Sequence, residues 1–124
     1  MKFLSTIFLS LLLFQAHAQN DLNQAAGNWG GAISLPDGSS LRVVFHVVNK
    51  GESLSATMDS PDQNAFGLKM DKAEFKENEI TLTMNQIQGS YKATLKDGKF
   101  EGTWSQGGQS FPLNVERIKK EGKS

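Results

Sequence analysis

From Trp29 to Val115 the apolar residues fall on every second position. Successive side chains of an extended strand point to opposite faces, so this spacing specifies one buried face and one wet face. Trp29, Gly31, Ile33 and Leu35 share a face, and Pro36-Asp37-Gly38 turns the chain. Leu41, Val43, Phe45 and Val47 follow, with Arg42 and His46 opposite, and Asn49 to Glu52 turns the chain again. Leu54, Ala56 and Met58 keep the spacing, as do Ile80, Leu82 and Met84 further on. Tyr91, Ala93 and Leu95, then Phe100, Gly102 and Trp104, then Phe111, Leu113 and Val115 close the series. Turn residues separate the runs, and Asp97-Gly98 is a tight hairpin signal. Between Leu68-Met70 and Ala73-Phe75 the parity slips, which predicts a β-bulge near Asp71-Lys72. Helical spacing is missing except at Asp21 to Ala26, where Asp21 is placed to cap a single turn.

The pattern predicts eight strands of roughly six to nine residues. Parallel neighbours need crossovers of about a dozen residues, and these connections are shorter, so the neighbours are antiparallel. Such a meander closes most naturally into a single all-β up-and-down barrel with no exposed edge. Pro112 opposes closure because it brings no N–H to the last strand, and Gly27, Gly30 and Gly31 weaken the first. Closure between those two strands is therefore expected to be partial or bulged. An open barrel of seven or eight strands is the alternative.

The first 18 residues read as a signal peptide. Lys2 is its positive start, Phe3 to Phe14 its apolar stretch, and Ala16-His17-Ala18 its cleavage site. The apolar stretch has 12 residues and a membrane span needs about 20, so no membrane anchor is expected. Cleavage after Ala18 leaves 106 of the 124 residues in a secreted or periplasmic chain: one barrel domain, 19–118, and a polar tail, 119–124. Without Lys2 there are 12 basic residues against 13 acidic ones, which disfavours nucleic acid as a partner. The absence of cysteine removes disulfides and a cysteine-linked lipid anchor, so the fold must hold by burial alone. Only 35 of the 106 residues are apolar or aromatic, which suits one sheet curled on itself.

A meander sends alternate loops to opposite ends. Pro36–Ser40, Ser60–Gly67, Asn85–Gly89 and Gln106–Gln109 fall at one end, Asn49–Glu52, Lys76–Asn78 and Lys96–Lys99 at the other. The first end collects Asp59, Asp62, Gln63, Asn64, Asn85, Gln86, Gln88, Gln106 and Gln109, and carries the longest predicted loop. Barrels bind through long, polar, irregular loops, so this end is the candidate mouth and the other the closed base. Trp104 points inward near that mouth. The same polar residues also suit turns that cap themselves, with Asp59 or Ser60 bonding backbone amides.

Gly27-Asn28-Trp29 opens the first strand at the base, and Arg117 ends the last strand there. This resembles the calycin pattern of lipocalins and avidin-like barrels, in which a Gly-x-Trp tryptophan plugs the closed end under a basic residue. The resemblance implies Trp29 and Arg117 as the structural base. A wider resemblance rests on Trp29-Gly30, Asp59 to Gln63, Gly102 to Gly108, Pro112-Leu113 and Arg117. Their order is similar to an exported bacterial domain often found N-terminal to α/β-hydrolase or β-lactamase-like serine hydrolase domains. The sequence stops where such a hydrolase would start, so the resemblance implies an accessory or binding module expressed alone.

Catalytic chemistry is poorly supplied. After Ala18 the chain has one histidine and no cysteine, which excludes a thiolate or multi-histidine zinc site. His46 is expected as a solvated histidine on the outer face. There is no Gly-x-Ser-x-Gly elbow, phosphate loop or dinucleotide fingerprint. Asp59 and Asp62 are the one candidate carboxylate pair, for acid–base work or a weak Ca²⁺ site. The expectation is a non-enzymatic module without cofactor or metal. Its candidate ligand residues are Asp59, Ser60, Asp62, Gln63, Asn64, Gln86, Trp104 and Gln106. Its partner is a small molecule at the barrel mouth or, alternatively, a protein such as a secreted hydrolase.

Overall fold

Alternation becomes a curled sheet in the computed structural model, which describes residues 21–119. The predicted signal peptide with its cleavage after Ala18, and the tail beyond Lys119, lie outside the described residues. A single-turn 3-10 helix, Leu22–Gln24, leads in, capped by Asp21 Oδ1, which accepts from Asn23 N–H at 3.0 Å. Nine strands follow: β1 Gly27–Ser34, β2 Ser40–Asn49, β3 Leu54–Ser60, β4 Ala65–Lys69, β5 Lys72–Lys76, β6 Glu79–Met84, β7 Gly89–Lys96, β8 Lys99–Gln106 and β9 Gln109–Arg117. They form one sheet in the order β4-β3-β2-β1-β9-β8-β7-β6-β5, and each pair is antiparallel.

Two expectations are corrected here. Among the described residues there are nine strands, because the segment predicted as one bulged fourth strand is two strands with different partners. Met70 N–H donates to Ala56 O of β3 at 2.9 Å, and the next amide, Asp71 N–H, donates to Thr83 O beside β5 at 2.7 Å. The parity slip therefore marks a change of partner, and the irregular register lies between β3 and β4, across Met58–Ser60. The opening of the barrel is this β4/β5 seam, while β1 and β9 pair only over Trp29–Gly31 and Val115–Arg117, the partial closure expected of them. The glycines of β1 permit that pairing. A Cβ on Gly31 would sit 2.1 Å from Asn114 O, so only glycine lets the two backbones approach. The ladder ends before its register reaches Pro112, where no N–H is available to continue it.

The inner face is the predicted one. Trp29, Phe45, Tyr91 and Phe100 are all but fully buried, with Val43, Met58, Leu82, Trp104 and Leu113 around them. Ring contacts run along the barrel: Trp29–Phe100 at 4.6 Å, Phe75–Phe100 at 6.0 Å, Phe45–Tyr91 at 5.0 Å and Phe45–Trp104 at 6.4 Å. Tyr91 brings a hydroxyl inside and satisfies it by donating to Leu113 O at 2.8 Å. At the base, Trp29 Nε1–H donates to Ala25 O at 2.9 Å, and the Arg117 guanidinium lies 4.4 Å above the indole. Arg117 also donates to Ala26 O at 2.6 Å and Gln24 O at 2.9 Å, binding the lead-in turn to the end of β9.

Candidate ligand site at the open end

The polar segment Asp59 to Asn64 is more ordered than a long loop. β3 runs on to Ser60, Pro61–Gln63 forms one 3-10 turn, and Asn64 reverses the chain at φ 56° into β4. Continuing the alternation of Leu54, Ala56 and Met58 by one step puts Ser60 on the inner face, where it is buried. A second 3-10 turn, Asn85–Ile87, joins β6 to β7 at the same end, and its side chain Ile87 packs against the core. Gly107-Gly108 turns β8 into β9 with both φ values positive.

These turns rim a hollow above the aromatic column. It has two adjoining lobes, of about 290 and 380 Å³, which share Ile33, Leu41, Ile87, Trp104 and Gln106. Val43, Met58 and Leu68 complete the apolar wall of the first lobe, and Ser60 and Gln63 are its other polar members. Gln109 and Phe111 belong to the second. Among the described residues no ionisable side chain lines either lobe. Gln63 and Gln106 are held by the protein itself. Gln63 Oε1 accepts from Ser60 Oγ–H at 2.6 Å, and Gln106 Oε1 accepts from Trp104 Nε1–H at 3.0 Å.

No protein-family model matches the sequence, and no curated protein does. Among solved structures, a crystal structure of a single-site mutant of the fluorescent protein UnaG is similar, with a TM-score of 0.55 at 12% identity, over 81% of this chain and all of that one. The likeness shows the fold: an open, calycin-like antiparallel barrel.

Of the residues singled out from sequence, Ser60, Gln63, Trp104 and Gln106 line the hollow of this calycin-like barrel. Gln86 and Asn64 are exposed on their turns and line neither lobe. The two carboxylates stand elsewhere. Asp62 receives the Arg42 backbone N–H at 2.8 Å and the Arg42 guanidinium at 2.8 and 3.2 Å. Those bonds, side chain first and then backbone, hold its carboxyl below the ordinary carboxylate range. Asp59 accepts from Gly67 N–H at 2.8 Å and contacts His46 Nε2 at 2.8 Å. Partial burial pushes its carboxyl up, but the Gly67 amide and the His46 ring outweigh this and leave it lowered. His46 departs from the solvated side chain expected of it. Its Nδ1 also contacts Asn28 Oδ1 at 2.7 Å, so one imidazole joins β1, β2 and β3 across the outer wall.

The sequence reading did not name the apolar lining Ile33, Leu41, Ala65, Leu68 and Ile87 as site residues. Ile33, Leu41 and Ala65 sit near strand ends next to the rim turns and Ile87 sits in one of those turns, and that was the available signal. The opposite end also departs from a plain closed base. A hollow of about 320 Å³ lies along the seam there, between Leu54 and Phe75, with Leu22 beside it and Glu52, Glu74 and Lys76 at its margin.

Proposed function

We propose that this chain is an exported, non-enzymatic binding module that holds a small molecule in the hollow at the open end. One observation carries the reading: an uncharged apolar hollow beside Trp104, with two anchored glutamines at its mouth. Its first lobe is close to the lower size of ligand pockets, about 300 Å³. The packed aromatic column beneath makes it shallow, which suits a compact ligand. The calycin-like fold is compatible with this use. No reaction is part of the reading, since His46 is engaged on the outer wall with Asn28 and Asp59.

Nile red, an uncharged dye that brightens in apolar surroundings, tests it. Saturable one-site brightening is expected, together with its loss in Ala65→Phe at unchanged melting temperature. Absence of saturable binding to the wild-type chain would end the proposal.

A second reading docks a partner protein, such as a secreted hydrolase, on the same end. Phe66 favours it, being 59% exposed on the outer side of β4 just below the rim. The resemblance to hydrolase-linked exported domains points the same way. Co-purification of a serine hydrolase with the wild type, lost in Phe66→Ser, is the expected result. Equal recovery by both chains counts against that surface.

A further inference from the structure

We infer that the mouth of the first lobe favours hydrogen-bond acceptors, and that its ligand is an uncharged molecule with an apolar body and acceptor oxygens, such as a ketone, ester or amide. The inference rests on the hollow being the binding site and specifies what that hollow selects.

An uncommitted glutamine presents both an acceptor oxygen and a donor NH₂ group, and either can meet a ligand. Here the oxygens of Gln63 and Gln106 each already accept one bond from the protein, while their NH₂ groups are unspent among the described residues. Indole nitrogen only donates, so the bond from Trp104 fixes Gln106 with Oε1 toward the indole. Ser60, itself buried, directs its hydroxyl at Gln63 Oε1. Each Nε2, with two N–H groups, is then the end of the carboxamide without a protein partner among the described residues. Two such ends, from the β3–β4 turn and the end of β8, stand at one mouth.

The rim segment contains two carboxylates, yet both are bound on the outside, Asp59 by Gly67 and His46 and Asp62 by Arg42. Arg42 is likewise turned to Asp62 and away from the hollow. An ionic ligand would therefore lose its hydration against apolar walls and meet no counter-charge. A pure hydrocarbon would leave the four N–H groups of the mouth without acceptors where it excludes water. An apolar body with one or two acceptor oxygens satisfies both requirements.

A matched set of naphthalenes displacing Nile red from the intact chain tests this. Acetylnaphthalene carries one acceptor oxygen; ethylnaphthalene has the same shape without it; naphthoate is anionic; naphthylmethylammonium is cationic. Acetylnaphthalene should compete about tenfold better than ethylnaphthalene, the size of one or two net hydrogen bonds. Both ions should compete more weakly than the ketone. Gln63→Glu and Gln106→Glu keep an oxygen for Ser60 and Trp104 but remove the NH₂ donors. They should abolish the ketone's advantage over the hydrocarbon. Equal competition by ketone and hydrocarbon in the wild type, which needs no variant to fold, overturns the donor-site inference. So does naphthoate as the strongest competitor. In either case Nile red binding still stands and the hollow remains the binding site. If neither Nile red nor any naphthalene binds, the hollow itself is refuted along with its selectivity.

Discussion

Arg117 combines two roles in one side chain, covering the Trp29 indole and binding the carbonyls of Gln24 and Ala26. A guanidinium over an indole contributes about 0.5–2 kcal/mol, and the planar fork is what lets it reach two carbonyls at once. Arg117→Ala should lower the free energy of unfolding by about 2 kcal/mol in urea titration. Arg117→Lys should recover less than half of that, because a lysine keeps the charge and loses the fork. Gly27 is fitted to the same contact: its φ is 136°, and a Cβ there would fall 2.5 Å from Arg117 Nη1. Asp59 gives a pH dependence. Its folded carboxyl is held below the ordinary value of 3.8, so the stability it contributes is present above that value. That contribution disappears as pH falls through the lower folded value. Stability should therefore hold from about pH 7 to 5 and decline below about pH 4, and Asp59→Asn should flatten part of the decline.

At the scale of elements, the seam is the weakest line in the sheet. β4 and β5 each pair on one side only, whereas β8 is paired on both sides for its full length. Amide exchange followed by mass spectrometry should be fastest in 65–76 and slowest in β7 and β8. Equal protection of both regions would contradict the seam. Most of these elements were legible in the sequence, because a buried sheet face imposes its period on the residues that build it. Phe45, Tyr91 and Phe100 could be placed inside from spacing alone. Parity reports which face a side chain takes, however, and is silent about which strand lies beside it. The slip after Met70 was visible, but its meaning as a change of partner was not. Within the site, Trp104, Gln63 and Gln106 were accessible from topology. The bond from Arg42 to Asp62 spans twenty positions, and no local pattern announces it.

Across the whole molecule, the aromatic column packs the interior directly beneath the mouth hollow, with Phe45 near the boundary. Its ring stacks on Tyr91 and tilts against Trp104. Phe45→Leu should cost about 1–2 kcal/mol of stability by enlarging the space beneath the hollow. It should also tighten Nile red binding, because the dye gains depth. A loss of stability with weaker dye binding would show that Phe45 shapes the floor and does not limit its depth. The two ends also differ in what they present. Arg117 brings the close of β9 against the turn that precedes β1, so the fold begins and finishes at the end away from the mouth. A bead, an affinity tag or a neighbouring domain joined directly before Asp21 or after Lys119 would hang from the base. The barrel would stand on such an attachment like a cup on its foot, its rim clear of the surface that carries it.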